Sequence, residues 1–292
     1  MVPLLAIASA FFYSLVIILT TVGLRYVSVL SALIIIESSS VVAALALSIA
    51  VVPFDTYVTE ATLYFIAAGA LGPFIAHYLL VEGIDRVGSS IATAIIQTRP
   101  LYSAIGALML LGESLSSFIT LGMFFMIVGT AVISFEQSGG KIVKQWSRKD
   151  LVFPIMAGMC WGVAHVLRKM GLNVIPQPIV GVTIQNATAL AFFSLVALVQ
   201  REKRAVEFSN KSAWLALGVG GIISVLAQLL LYYALDFGEV VIVSPLTSLN
   251  SFFVLILAAL FLRKLERVTW KIVVGTVFIF AGAVLLTITS YS

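Results

Sequence analysis

Apolar residues run almost without interruption along this chain, broken at intervals of about 20 residues by short clusters of charged residues, Pro, Gly or Asn. A helix rising about 1.5 Å per residue needs about 20 apolar residues to cross a hydrocarbon layer about 30 Å thick. Divided on that rule, the chain predicts ten helices, at residues 3–22, 29–52, 62–82, 89–111, 116–134, 151–170, 179–200, 213–235, 240–262 and 268–289. None of the runs shows the period-two alternation of a barrel strand. In lipid only helices and closed barrels satisfy every backbone N–H and C=O, so the predicted fold is an all-α polytopic membrane protein. The first run has no basic leader and is too long for a signal-peptide core, so it is read as a retained helix.

Composition narrows the function. Of 292 residues, 61% are hydrophobic and 10% charged, with a mean hydropathy of +1.13; a soluble domain carries about 25% charged residues. That excludes a soluble enzyme with a single anchor and a disordered regulator. It also excludes a nucleic-acid binder, which needs a basic face rather than a basic total. The lone cysteine, Cys160, cannot form an internal disulfide. No cofactor and no nucleic acid are expected, and the expected partners are a small-molecule substrate and membrane lipid, with the chain a monomer or weak homodimer.

The basic residues instead report orientation. Arg25, Arg86 and the groups at 141–149, 201–211 and 263–271 place 14 Lys and Arg on one side, against Arg168 and Lys169 on the other. The positive-inside rule makes the 14-residue side cytoplasmic and puts both termini outside a cell membrane.

The chain also repeats. Gly83-Ile84-Asp85 matches Ala234-Leu235-Asp236 at an offset of 151, while Glu113, Gly122 and Gly129 match Glu266, Gly275 and Gly282 at 153. Tyr13 and Gly23 fall opposite Trp161 and Gly171 at 148. Residues 1–134 and 151–292 are thus predicted to be two five-helix repeats joined by a basic loop, 135–150. An odd number of helices per half inverts one half relative to the other. The glycines seven apart lie on one helix face and predict close packing seams.

With these residues in place, Gly83-Ile84, Pro100, Gly112-Glu113, Trp161-Gly162, Ala234-Leu235 and the spaced glycines, the sequence resembles the drug/metabolite transporter superfamily, in particular its ten-helix EamA-type members. Tyr13 stands where that family often has tryptophan. Pro245 lies earlier than Ser251, the partner position of Pro100, which predicts that helix 9 bends at a different place from helix 4. The family is usually described with cytoplasmic termini, contrary to the charge count, which is followed here.

An ionisable group inside a membrane helix is costly and marks a site by default. Glu37, His77 and Arg99 lie deep in helices 2, 3 and 4, and the repeat offsets give Gln185, Gln228 and Asn250 as their counterparts. Chance would mostly place aliphatic residues there, so three polar pairs predict one central cavity between the halves. The resemblance implies a cavity lined by helices 1, 3, 4, 6, 8 and 9. On those helices the chain offers Tyr13, Ser14, Gln97, Tyr102, Trp161, His165, Tyr232, Ser244, Thr247 and Ser248, with Asn186 beside Gln185 on helix 7.

Structural readings stand beside these. Glu37 and Arg99 could form a buried ion pair, the histidines and aromatics could be packing residues, and Ser and Thr in helix 9 could bond back to helix carbonyls. Gly112-Glu113 and Glu266 read as loop or cap features, and Cys160 as buried packing.

Only Arg99 is expected to be deep among the cations, which disfavours phosphate esters. A zwitterion fits, with Arg99 on a carboxylate and Glu37 on an ammonium. The predicted function is secondary transport of small polar metabolites, amino acids first, by alternating access, with export coupled to protons through Glu37 and His77. A facilitator or exchanger of sugars or nucleotide sugars is the alternative; a channel or intramembrane enzyme lacks a filter segment or catalytic pair.

Overall fold

Each apolar run folds as helix, and the interruptions fall where the sequence supplies a cap, a proline or a polar pair. The computed structural model describes residues 1–57, 59–87, 89–137, 147–200, 211–261 and 270–289. In chain order these form α1 (Val2–Gly23), α2 (Val29–Val51), α3 (Glu60–Gly69), α4 (His77–Val87), α5 (Ser89–Ile96), α6 (Arg99–Leu110) and α7 (Ser117–Gln137). The second part gives α8 (Val152–Val174), α9 (Pro178–Gln200), α10 (Lys211–Phe237), α11 (Val240–Thr247), α12 (Asn250–Phe261) and α13 (Trp270–Thr289). Among the described residues there is no strand, and seven helical stretches are long and apolar enough to cross a membrane. Most of the loop cations counted above, Lys141, Lys144, Arg201, Lys203, Arg204, Arg263, Lys264 and Arg267, lie outside the described residues, as does Glu266.

Local chemistry sets the ends. Ser28 caps α2 by accepting from the Ser31 N–H, and Ser147 pairs with Asp150 in a capping box before α8. Gly112 takes φ +68° in the turn after α6, a conformation that favours glycine. Beside it, Glu113 reaches across to cap α11: its two carboxylate oxygens accept from the N–H groups of Val240 (2.8 Å) and Val241 (3.0 Å). Burial raises the Glu113 pKa, and the two amide hydrogen bonds oppose that shift. Of the loop and cap readings, Glu113 takes the cap, and it ties the two parts of the chain together.

Three spans are interrupted. α3 passes into α4 through a π-helical turn, Ala70–Ala76, that contains Pro73; a proline cannot donate to the helical ladder, and π-turns of this kind recur at functional sites. The pairs α5/α6 and α11/α12 are each split by a tight turn. Thr98 N–H donates to Ile95 O (3.0 Å) in the first and Leu249 N–H to Leu246 O (3.2 Å) in the second. Those residues correspond at the same offset of 151. The expectation that the two spans bend at different places is therefore corrected: Pro245 is carried inside α11, and the break follows it at the register of the first copy.

The helices pack with α1 on α10, α3 on α8, α2 on α9 and α10, α3 on α9, and α7 on α13. The predicted glycine seams form. A Cβ on Gly129 would lie 2.5 Å from Gly275 O and one on Gly282 2.6 Å from Gly122 O, so α7 and α13 meet backbone to backbone.

Candidate polar site at the helix breaks

The break in α5/α6 carries Gln97 and Arg99 into the interior, and the break in α11/α12 carries Ser248 and Asn250 to meet them. Arg99 donates from Nε to Ser248 Oγ (3.3 Å) and from a terminal nitrogen to Asn250 Oδ1 (3.4 Å). Gln97 Nε2 donates to Ser251 Oγ (2.5 Å). The residues matched by the repeat, Arg99 and Asn250, thus touch each other. One turn further into α6, the Ser103 hydroxyl donates to Ser244 Oγ (2.7 Å), which also lies 3.1 Å from His165 Nδ1. Thr247 bonds back to Ser244 O, and Ser14 to Phe11 O, as the structural reading allowed.

α8 supplies the facing wall. Glycine at 162 lets it approach α6 closely, because a Cβ there would lie 2.8 Å from Arg99 O and from Ser103 N. Tyr102 packs over this stretch, near Gly158 and Gly162. Trp161 meets the His77 ring edge to face at 5.2 Å, and His77 Nδ1 lies 3.0 Å from Pro73 O in the π-turn.

A second network joins α8, α9 and α10. Arg168 Nε donates to Gln185 Oε1 (2.6 Å), which also accepts from the Tyr232 hydroxyl (2.9 Å). Gln185 Nε2 donates to Gln228 Oε1 (2.9 Å), and Gln228 Nε2 to Ser224 Oγ (3.0 Å). The Arg168 guanidinium lies 5.9 Å from the centre of the Tyr232 ring.

Arg168 corrects the reading of it as a helix-end charge that helps set orientation. It is 6% exposed and enclosed between α8, α9, α10 and the π-turn at Gly72. The signal was in the sequence: Trp161, His165 and Arg168 are spaced four and three apart and so share one helical face. Lys169, on the next face, donates from Nζ to the carbonyl oxygens of Leu235 (2.6 Å) and Asp236 (3.1 Å) at the end of α10. The premise that only Arg99 is deep falls with this placement.

Glu37 is 9% exposed, and its Oε2 has no hydrogen-bond partner. No salt bridge among the described residues joins it to Arg99, so the alternative of a buried ion pair between them is not realised. Tyr13 lies within electrostatic range of Arg99, Glu37 and Arg168 together. Tyr13, His77 and Arg99 are half-buried. Asn186, fully buried on α9, has neither side-chain polar atom hydrogen-bonded. Cys160 is half-buried rather than buried.

A protein solved by crystallography superimposes on this chain with a TM-score of 0.82 at 16% identity, over 99% of this chain and 98% of that one, which establishes the fold. An uncharacterized transporter from Archaeoglobus fulgidus is 30% identical over 136 residues, a match that spans 45% of this chain and 45% of that relative. The model of the EamA-like transporter family matches residues 1–135 and again 149–288. With nearly its whole length matched, a buried polar centre and helices of membrane-crossing length, the chain belongs to the EamA-like transporter family.

Proposed function

We propose that this protein is a secondary transporter of small polar metabolites, amino acids first among them, working by alternating access between two inverted five-helix halves. In this reading ten helices cross the cell membrane, with α3/α4, α5/α6 and α11/α12 each forming one span. The observation that carries it is the matched break: two spans open at corresponding residues, and Arg99 faces Asn250 across the join. Discontinuous helices at the junction of inverted repeats are where such transporters hold their substrates. Packing supports the halves, because each principal contact has its mirror image. α1 on α10 corresponds to α8 on α3, and α2 on α10 to α9 on α3, while α2 on α9 and α7 on α13 map onto themselves. The two segments matched by one family model support it too.

The two ends of the site are unequal, which supports alternation. α11 is buried throughout, held by α1, α6, α7, α8, α10 and α13 and capped by Glu113. Its counterpart α5 packs on α4, α7 and α8 and leaves Ile91 and Ile95 half-exposed. The end carrying the chain termini is thus the closed one, and exchanging the roles of α5 and α11 gives the opposite state. Glu37, with His77, is the coupling group for protons, since its carboxylate alone in the centre lacks a cationic partner. Removing Arg168 from the loop count leaves the basic side even more biased, so both termini face outward.

Proteoliposome counterflow with the purified protein tests this. Glu37→Gln is expected to abolish transport driven by a proton gradient while preserving exchange, and Arg99→Ala to abolish both, with each variant eluting as folded protein. Wild-type rates in both variants would refute the site. An unchanged wild-type rate across a range of pH gradients would favour the sugar facilitator instead.

A further inference from the structure

We infer that the cargo carries two anionic groups, one for each central arginine, and that an acidic amino acid or related dicarboxylate is the class of molecule the centre is built to hold. This rests on the transport reading and specifies its substrate. Arg86, an exposed arginine, is neutralised by carboxylates, bound to Glu82 at 2.6 Å and to Asp150 at 3.5 Å. The two central ones are treated differently. Among the described residues, Arg99 has only the neutral oxygens of Ser248 and Asn250, and Arg168 only Gln185 and Tyr232. A guanidinium removed from bulk water without a counter-charge is strongly disfavoured, and a carboxylate partner is the common remedy. Neutral partners orient the guanidinium without cancelling its charge, which leaves that charge available to a ligand.

Both arginines address one region. His165 is within electrostatic range of Arg99 and Arg168, Tyr13 is within range of both and of Glu37, and the Arg99 backbone abuts Gly162, six residues and about 9 Å along α8 from Arg168. Each guanidinium presents a fork that matches a carboxylate. Gln185 sets the direction of the Arg168 fork and is itself fixed by Gln228 and Tyr232. Two guanidiniums against one carboxylate leave the centre one positive charge in excess with Glu37 ionised, and an acidic amino acid supplies two carboxylates and one ammonium. The earlier zwitterion fit counted one arginine; the second converts it into a site for an additional anionic group.

Thermal shift and calorimetric titration of the purified full chain with L-glutamate, succinate and L-leucine test this. Glutamate and succinate are expected to bind at least about tenfold more tightly than leucine, and Arg168→Gln to weaken both about tenfold or more while changing leucine binding less than about threefold. Glu37→Gln is expected to reduce the preference for glutamate over succinate. If Arg168→Gln does not fold, Arg168→Lys keeps the charge and is expected to retain the preference over leucine at lower affinity. Leucine binding as tightly as glutamate and succinate, or affinities indifferent to Arg168, would overturn the inference. Binding of glutamate without its counterflow in proteoliposomes would overturn the transport reading and leave the anion site standing.

Discussion

The polar centre is knitted in one half and loose in the other. In the second half, Arg168, Gln185, Gln228, Ser224 and Tyr232 form one chain of hydrogen bonds, all of them buried but the half-buried Gln228. In the first half the counterparts of Gln185 and Gln228 are Glu37, whose Oε2 is unbonded, and His77, held by its own helix at Pro73 and by the Trp161 ring. The supporting helices differ in the same sense: α10 runs unbroken from Lys211 to Phe237, whereas its counterpart passes through the π-turn at Ala70–Ala76. A fully satisfied network rigidifies, and groups left unsatisfied are poised to change partner or protonation. In the transport reading proposed above, the second half is the scaffold and the first half holds the groups that respond.

Swapping the polar for the apolar in each half gives the largest contrast. Gln185→Leu strands Arg168 and Gln228, and a loss of about 2–3 kcal/mol is expected in denaturant or thermal unfolding. The mirror change Glu37→Leu removes an unbonded buried carboxylate and is expected to be neutral or stabilising, although transport stops. Equal losses in both would erase the distinction between halves. Next, Gly162→Ala forces a methyl against the backbone of α6 at Arg99 and Ser103, with an expected cost of about 1–3 kcal/mol. Glu113→Ala frees the Val240 and Val241 amides. The expected loss is about 1 kcal/mol, the usual cost of a helix cap, and thiol labelling of cysteines placed in α11 should speed up. The smallest effect is expected at His77→Gln, within about 0.5 kcal/mol, because His77 has no partner beyond its own turn and a ring face.

Much of this was legible before any coordinates. Run length indicated an all-helical chain with helices long enough to cross a membrane, and the offset of 151 found Arg99 and Asn250 as a pair before the structure brought them into contact. The spacing of Gly122, Gly129, Gly275 and Gly282 indicated the seam between α7 and α13. Three features were hidden for physical reasons. Arg168 adjoins Lys169 near the end of an apolar run, where depth along the sequence is ambiguous; only the helical face it shares with Trp161 and His165 reveals that it points inward. The helix break was assigned to proline, but Pro245 sits within α11, and the tight turn falls after it in both copies. The attraction between Glu37 and Arg99 that opposite charges suggest is not realised; Arg99 donates instead to Ser248 and Asn250.

The central claim is that the two halves exchange open and closed ends around this centre. Spin labels in a Cys160→Ser background measure it by pulsed electron resonance: one pair at Ser116 and Glu239 spans the closed end, and one at Glu82 and Ser212 spans the basic end. On adding a transported substrate, the first distance is expected to lengthen as the second shortens. Two distances that stay fixed, or move in the same direction, would contradict the account.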